Sequence, residues 1–296
     1  MAYNRLFDFI HNEGFMLLGV AAPLIPDNHR GAFNNWLECG YHGGMSYMTR
    51  HSEKRLSPKK ILPQVRSVIV MAVNYNPPQM DVIKTSGLIS KYAYGRDYHN
   101  VLSKPLKRIC RFIEDNFPST VAYGYTDTGP VLEKVFAVVA GLGFIGKNTL
   151  LITPEFGSWV FLSVILTNID IPYSTPSTKD CGRCRLCIDA CPTGALIEPY
   201  ILDSRKCISY LTIEHRGEFP VGTKLHNYIF GCDICQNICP HNTNARVTGI
   251  KDFHPEKGFG GYIDDKKLLG ISDNDLNGTS LKRAGLEGLK RNMRFL

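Results

Sequence analysis

The stretch that decides the fold of the later half of the chain is Cys181-Gly-Arg-Cys184-Arg-Leu-Cys187-Ile-Asp-Ala-Cys191-Pro192, answered further on by Cys232-Asp-Ile-Cys235-Gln-Asn-Ile-Cys239-Pro240. The first is a full C-x2-C-x2-C-x3-C-P run, the spacing that holds a [4Fe–4S] cubane in bacterial ferredoxins. Three thiolates spaced two residues apart wrap one face of a cubane, and the chain cannot turn back fast enough to supply the fourth corner. In two-cluster proteins the Cys before Pro ligates the other cluster. The spacing therefore assigns Cys181, Cys184, Cys187 and Cys239 to one cluster. Cys191, Cys207, Cys232 and Cys235 form the other, with Cys207 supplying the thiol that the second motif lacks. Zinc also takes Cys-x2-Cys pairs, but an x2-x2-x3 run closed by Pro is foreign to zinc sites. Disulfides need an oxidising compartment, and the opening Met-Ala-Tyr-Asn-Arg-Leu-Phe-Asp-Phe reads as neither signal nor transit peptide.

The chain has 296 residues, 44% of them hydrophobic, enough for a sizeable core in one large or two ordinary domains. That composition excludes a disordered chain. No apolar run approaches the ~20 residues of a membrane helix, so the expected setting is the reducing cytoplasm, with no membrane partner and a monomeric state. Of ten cysteines, Cys39 and Cys110 fall outside the motifs and read as buried thiols. A net charge of +7 points to an anionic partner, nucleic acid foremost, or to a solvated basic surface.

Upstream of the cysteines, strands and helices alternate. Residues 2–13 read as a helix, 15–22 as a buried strand, and 32–39 as a helix ended by Gly40. The run Val65–Asn74 has the β-branched richness of a central strand. A Pro-containing loop is expected over 76–90, helices over 101–116 and 131–140, and a strand over 121–126. Segments 149–153 and 158–167 read as paired strands. The pattern predicts an α/β or α+β domain over residues 1–174. A two-cluster ferredoxin-like domain follows over 175–243, reached through the linker 171–180. A basic C-terminal extension occupies 244–296 and carries an amphipathic helix near its end, with Leu281, Leu286 and Leu289 as an apolar stripe.

Several motifs outside the cysteines carry chemistry. Gly40-Tyr-His-Gly-Gly-Met45 is too glycine-rich for an element interior and predicts a loop whose backbone approaches something closely. Gly141-Leu-Gly-Phe-Ile-Gly146-Lys147-Asn148-Thr149 matches G-x-G-x-x-G and nearly matches a P-loop. Asn148 stands where a P-loop needs Ser or Thr, and the preceding run is helical where a Rossmann fingerprint needs a strand. This loop is expected to pass its backbone close to a bulky cofactor, with Lys147 as a polar anchor. Asp127, in Thr-Asp-Thr-Gly-Pro, is either an acid whose pKa is raised by burial at the mouth of the domain or a turn residue bonding its own backbone. Asp97 and His99 are further candidates to line a site. His215 and His241 read as hydrogen-bonding neighbours of the clusters. Ser280 to Arg294 places five cations against one acid, a solvated face or a phosphate grip.

Taken together these residues resemble a family, the epoxyqueuosine reductases, cobalamin-dependent iron–sulfur enzymes of queuosine synthesis in tRNA. The resemblance rests on Gly-Tyr-His-Gly-Gly-Met at 40–45, Glu53-Lys-Arg55 with Pro58, Tyr-Gly-Arg-Asp-Tyr-His at 94–99 and Asp127-Thr-Gly-Pro. It continues through Gly-Phe-Ile-Gly-Lys-Asn-Thr at 143–149, the whole cysteine region with Cys207-Ile-Ser-Tyr-Leu-Thr-Ile-Glu214, and Arg291-Asn292, covering nearly the whole chain. It implies an N-terminal domain that binds cobalamin in a nitroreductase- and reductive-dehalogenase-like fold. It also implies removal of the epoxide oxygen of epoxyqueuosine in the tRNA anticodon loop. The clusters would pass electrons from an external donor to the cobalt, super-reduced Co(I) would be the reductant, and Asp127 would protonate the departing oxygen. By motif, Arg55, Lys147 and Ser209 would contact cobalamin, and Lys290 and Arg291 would meet tRNA phosphates. Longer members continue into a helical-repeat domain that helps grip tRNA. This sequence reaches Leu296 just after Arg291-Asn292, so a short form is expected, in which either the repeat is dispensable or RNA affinity rests on fewer contacts. The competing expectations are another cobalamin and iron–sulfur reductase with a small-molecule substrate, and a non-catalytic electron-transfer module.

Overall fold

In the computed structural model, which describes residues 2–80 and 87–296, a four-stranded sheet organises the first half of the chain. Its strands are β1 (Leu17–Ala21), β2 (Ser67–Asn74), β3 (Ala122–Tyr125) and β4 (Val160–Thr167), in the order β1-β2-β4-β3. Every pairing is antiparallel. Of the two classes the pattern allowed, the domain is therefore α+β. β2 reads as an uninterrupted apolar run because both faces of the sheet are covered, a signature more familiar from parallel sheets. Ile69, Met71 and Val73 point to one face and join Leu6 and Ile10 of α1 (Ala2–Asn12) and Leu102, Leu106, Ile109 and Ile113 of α3 (Tyr98–Asn116). Val68, Val70 and Ala72 point to the other, against Phe136 and Ala137 of α4 (Glu133–Val139). α2 (Asp27–Glu38) lies earlier in the chain, on the surface, with no buried residue.

Two expected elements differ. Segments 149–153 and 158–167 are not partners: Leu151–Ile152 pairs with Phe144–Ile145, while β4 pairs with β2 and β3, leaving one isolated bridge between Thr153 and Gly157. Residues 171–180 form no regular element but are fastened to the sheet, with Ser174 bonded to the Val20 N–H and carbonyl and the Ile171 N–H donating to Ser67 Oγ. Of the loop expected over 76–90, residues 81–86 lie outside the described residues.

The cysteine region is built around two short helical turns, Leu186–Asp189 and Ile234–Asn237, that pack on one another. Between them runs α5 (Ile208–Ile213). This region is not a bead on a string. Its strand Tyr228–Phe230 pairs with Leu88–Ile89 of the preceding half, and Asp233 accepts from Ser90 Oγ and the Lys91 N–H. The segment after residue 243 is also part of the core. Phe253 packs under β2 and β4, and Thr248 Oγ1 donates to the Asn74 carbonyl over 2.6 Å. Leu281 and Leu289, the latter in α6 (Gly285–Met293), are fully buried against Ile89, Ile229 and Phe230. Among the described residues no helix is long and apolar enough to cross a membrane.

Candidate active site

All ten cysteines are free thiols. Cys181, Cys184, Cys187 and Cys239 surround one small cavity with Lys147, Asn148 and Ile152. Cys191, Cys207, Cys232 and Cys235 line a second, larger one. The chain folds so that each Cys-Pro thiol, Cys191 and Cys239, crosses to the cavity of the other motif. Asn148 lines both cavities and donates through Nδ2 to the Cys235 carbonyl. No three His, Cys, Asp or Glu side chains among the described residues converge closely enough to hold a single ion. The thiols sit instead in two sets of four, each around its own cavity. Cys39, expected to be buried, is exposed.

The second cavity is a slot. Its lining includes the four thiols, Val160, Phe161 and Leu162 of β4, and Leu196, Leu202 and Ile208. Thr149, Ser158, Ser209 and Gln236 add polar groups. The slot shares Tyr98, Lys134 and β4 with a chamber containing Asp127 and Arg55. That chamber adjoins a third, the acid pocket, lined by Asp97, His99, Asp127, Lys282 and Arg283. The thiol-lined slot, this chamber and the acid pocket are neighbours that share wall residues, with Tyr98 on all three.

At the acid end, Asp97 caps α3 by accepting the His99 N–H (3.0 Å). The same carboxylate oxygen lies 2.7 Å from His99 Nδ1. His99 Nε2 lies 3.5 Å from Asp127 Oδ2, and Tyr98 Oη donates to that oxygen over 2.6 Å. Tyr98 is held by stacking on Phe161 (4.2 Å between centroids) and on His99 (4.1 Å). The imidazole between two carboxylates has its pKa raised to about 9: burial opposes the charge, but the hydrogen bonds and charges of Asp127 and Asp97 outweigh it. The Asp127 carboxyl is pushed up by burial but held below its ordinary range by His99 and Tyr98. Its side chain is 64% accessible, so its partners rather than burial set its charge. This corrects the expectation of an acid made neutral by desolvation. Asp127 is ionised, and the proton beside it rides on His99.

Asp127 sits at φ 58°, in the left-handed region uncommon for any residue but glycine. Its N–H donates to Glu133 Oε1 over 2.8 Å. Burial and the Asp127 charge push Glu133 well above the carboxylate range, so a neutral acid stands behind the charged one. Thr149, on the slot, has φ 66°, rare for a β-branched residue. Such strain persists where the surrounding structure over-determines it, commonly at functional sites.

The other expected contacts divide. Ser209 lines the slot. Arg55 lines both acid chambers; its Nη1 and Nη2 reach the Gly129 and Tyr47 carbonyls (3.4 and 3.5 Å), and its buried Nε has no partner among the described residues. Ser280 Oγ, on the acid pocket, is likewise buried without a partner among the described residues. Lys147 does not reach the slot: its Nζ donates to the Gly182 and Cys184 carbonyls (2.6 and 2.8 Å) and its N–H to Cys181 Sγ (3.4 Å). It fixes the first cysteine loop. The 141–146 glycines likewise serve packing rather than a cofactor, since a Cβ on Gly143 would lie 2.1 Å from the Ile152 carbonyl oxygen. The close approach expected at 40–45 is to protein: Gly43, at φ 58°, leaves no room for a Cβ, which would stand 2.7 Å from the Tyr210 ring.

Arg291, expected on the surface, is 8% exposed. It donates to the carbonyls of Leu211, His215 and Gly217 and stacks over Phe219 at 4.2 Å. Burial of Leu289 turns this face of α6 inward, so Arg291 braces the segment after Cys207 and presents no charge to solvent. Lys290 is exposed and paired with Glu287 at 3.0 Å. Tyr98, Glu133 and the bridging position of His99 were not legible from spacing. Asp97 and His99 were expected to line a site, and Tyr98 lies between them in the 94–99 motif, but their contacts with Asp127 were not expected.

Two sets of four thiols, an apolar slot and a charged proton-bearing pocket in series define an iron–sulfur oxidoreductase. Residues 55–128 match the model described as epoxyqueuosine reductase QueG, DUF1730, and residues 180–242 that of a 4Fe-4S double cluster binding domain. The chain belongs to the epoxyqueuosine reductase family. The epoxyqueuosine reductase of Gloeobacter violaceus is 43% identical over 293 residues, covering 95% of this chain and 91% of that protein. A crystal structure of an epoxyqueuosine reductase with an epoxyqueuosine-modified tRNA-Tyr stem loop superposes with a TM-score of 0.90 at 29% identity, covering 99% of this chain and 80% of that one. The Bacillus subtilis enzyme, in a structure with its catalytic aspartate loop swung out of the active site, gives 0.89 at 28% identity over 99% of this chain and 81% of that one.

Proposed function

We propose that this protein reduces epoxyqueuosine to queuosine in the anticodon loop of tRNA. The carrying observation is the series of adjoining cavities, walled in common by Tyr98, that runs from Cys191, Cys207, Cys232 and Cys235 to the Asp97–His99–Asp127 group. Converting an epoxide to an alkene consumes two electrons and two protons and releases water, so electrons and protons must arrive from different sides of the substrate. The series of cavities has that polarity.

Two [4Fe–4S] clusters on the thiol sets fit the cavities, and Asn148 stands between them on the path of the electrons. The slot fits cobalamin: aliphatic walls suit the faces of a flat macrocycle, and Thr149, Ser158, Ser209 and Gln236 suit its amide-bearing edge. Bound there, cobalamin supplies the strongly reducing chemistry that the side chains lack. Tyr98 lines both the slot and the acid pocket, and Phe161, stacked on it, lines the slot and the chamber between them. Arg55 Nε and Ser280 Oγ offer buried donors to the polar groups of the modified nucleoside. His99 holds a proton at Nε2 and releases it to Asp127 Oδ2, from which it passes to the epoxide oxygen as that oxygen takes on charge; the second proton, which completes the water, enters from solvent by the same relay. Glu133, neutral behind Asp127, keeps that loop from accumulating a second negative charge. Asp127, at positive φ, lies on a turn that matches by position the catalytic aspartate loop named for the Bacillus subtilis enzyme.

The test is anaerobic turnover of epoxyqueuosine-bearing tRNA by protein reconstituted with iron, sulfide and cobalamin, read by nucleoside mass spectrometry. Queuosine should form, and Asp127→Asn should lose most turnover while keeping iron and corrinoid content. Full activity in that variant would reduce Asp127 to a turn residue, and no queuosine from the wild type would remove the proposed substrate. An electron-transfer module alone has no need of the acid pocket.

A further inference from the structure

Arg291 is buried and Lys290 is exposed beside Glu287, and a further surface with the composition of an RNA grip is the face of α3 leading away from the acid pocket. His99, Ser103, Lys107 and Arg111 follow one another at four-residue spacing, so they form a single stripe on the helix. All four line a groove whose opposite wall is Tyr123 and Tyr125 of β3, an edge strand. His99 and Thr128 border both this groove and the acid pocket, so the two are contiguous. From His99 to Arg111 the helix rises about 18 Å, room for a short run of unstacked nucleotides. Among the described residues Lys107 and Arg111 make no salt bridge, whereas Arg108, one position off the stripe, is paired with Glu13. Tyr123 is 43% exposed, a large ring left open on the groove wall. Unpaired cations along a track, with an aromatic face beside them, are what single-stranded RNA binds: charge meets phosphate and the ring stacks a base.

We propose that this groove holds the anticodon-loop strand flanking the modified nucleotide, with Lys107 and Arg111 on phosphates and Tyr123 stacking a base. The inference rests on the tRNA reading above, and it adds a binding subsite that the catalytic pocket does not contain. The test is fluorescence anisotropy of a labelled anticodon stem-loop RNA against the reconstituted protein over a salt series. The double variant Lys107→Ala/Arg111→Ala should weaken binding ~10-fold or more and flatten the slope of log K against log salt by about 1.4, about 0.7 for each phosphate no longer neutralised on a single strand. Tyr123→Ala should weaken it ~5-fold or more with the slope unchanged, and Tyr123→Phe should restore it. Lys224→Ala, at an exposed lysine lining neither cavity, is the charge control and should bind as wild type. Affinity and slope within twofold of wild type for both groove variants would overturn the inference. A uniform loss that the Lys224 control shares would overturn it too. If wild type converts epoxyqueuosine while the groove variants bind normally, the groove fails and the function stands. If the groove variants bind weakly but no epoxyqueuosine is converted, the groove stands and the substrate fails. A wild type that does not bind the stem loop overturns both.

Discussion

Replacing His99 by Gln removes the imidazolium while leaving an amide able to reach one carboxylate. The folded pKa of about 9 against 6.5 for a free imidazole corresponds to a ceiling of about 3 kcal/mol, at 1.36 kcal/mol per unit. The His99 side chain is 35% exposed, so solvent screening reduces this to about 1–2 kcal/mol. Because the folded pKa is raised, this stabilisation is complete below pH 6.5 and disappears as the pH rises through about 9. Asp97 and Asp127 have folded pKa values below the ordinary 3.8, so their share is present above about pH 4 and is lost only on further acidification. The difference between wild type and His99→Gln should therefore be flat from about pH 5 to 6.5 and close to zero near pH 10. A chain of this size shifts by about 2 °C per kcal/mol, giving a Tm difference of roughly 2–4 °C at pH 6. Clusters make the transition other than two-state, so the comparison is between Tm values of anaerobic holoproteins, read by calorimetry at pH 6, 7.5 and 10. Turnover of wild type should hold up to about pH 9, and the variant should lose about 10²-fold, the scale of a general-acid contribution. A Tm difference that stayed constant from pH 6 to 10, or grew with pH, would refute the charge-paired imidazolium. So would a wild-type rate falling through pH 6.5.

Two further outcomes follow from the same geometry. If the Cys-Pro thiols cross between motifs, Cys191→Ser and Cys207→Ser combined should remove no more iron than either alone, about four of eight atoms per chain, whereas Cys191→Ser with Cys187→Ser should abolish both clusters; iron analysis and EPR distinguish these. Arg291→Ala leaves three carbonyls and a packed ring without their partner and should cost about 2–4 kcal/mol, seen as a lowered Tm. Lysine should not rescue it, since one ammonium cannot span the acceptors of a planar guanidinium, and Lys290→Ala should leave Tm within about 1 °C.

Both faces of β2 being covered explains why its apolar run is readable as a central strand while strand direction is not: alternation is lost when neither side meets water. The short segment Leu151–Ile152 points to the wrong partner because two residues carry no register information beyond their hydrophobicity. Lys290 and Arg291 look equivalent in sequence. Which of them faces solvent depends on the phase of α6, fixed by Leu289 seating under Phe230, and adjacent residues on a helix point about 100° apart.

The cysteine spacing by itself determined that the chain carries a two-cluster motif, because cubane ligation constrains residues close in sequence. It also marked Asp127 as a candidate, through a short turn motif. Only the tertiary structure decided where the proton resides. Asp127 and His99 are 28 positions apart, and their charges depend on the 3.5 Å between them and on Asp97 holding the other ring nitrogen. Burial alone, all that a sequence suggests, predicted the opposite ionisation. Coulomb energy depends on distance and local dielectric, and neither is defined until the sheet brings α3 and the Asp127 turn to the same pocket.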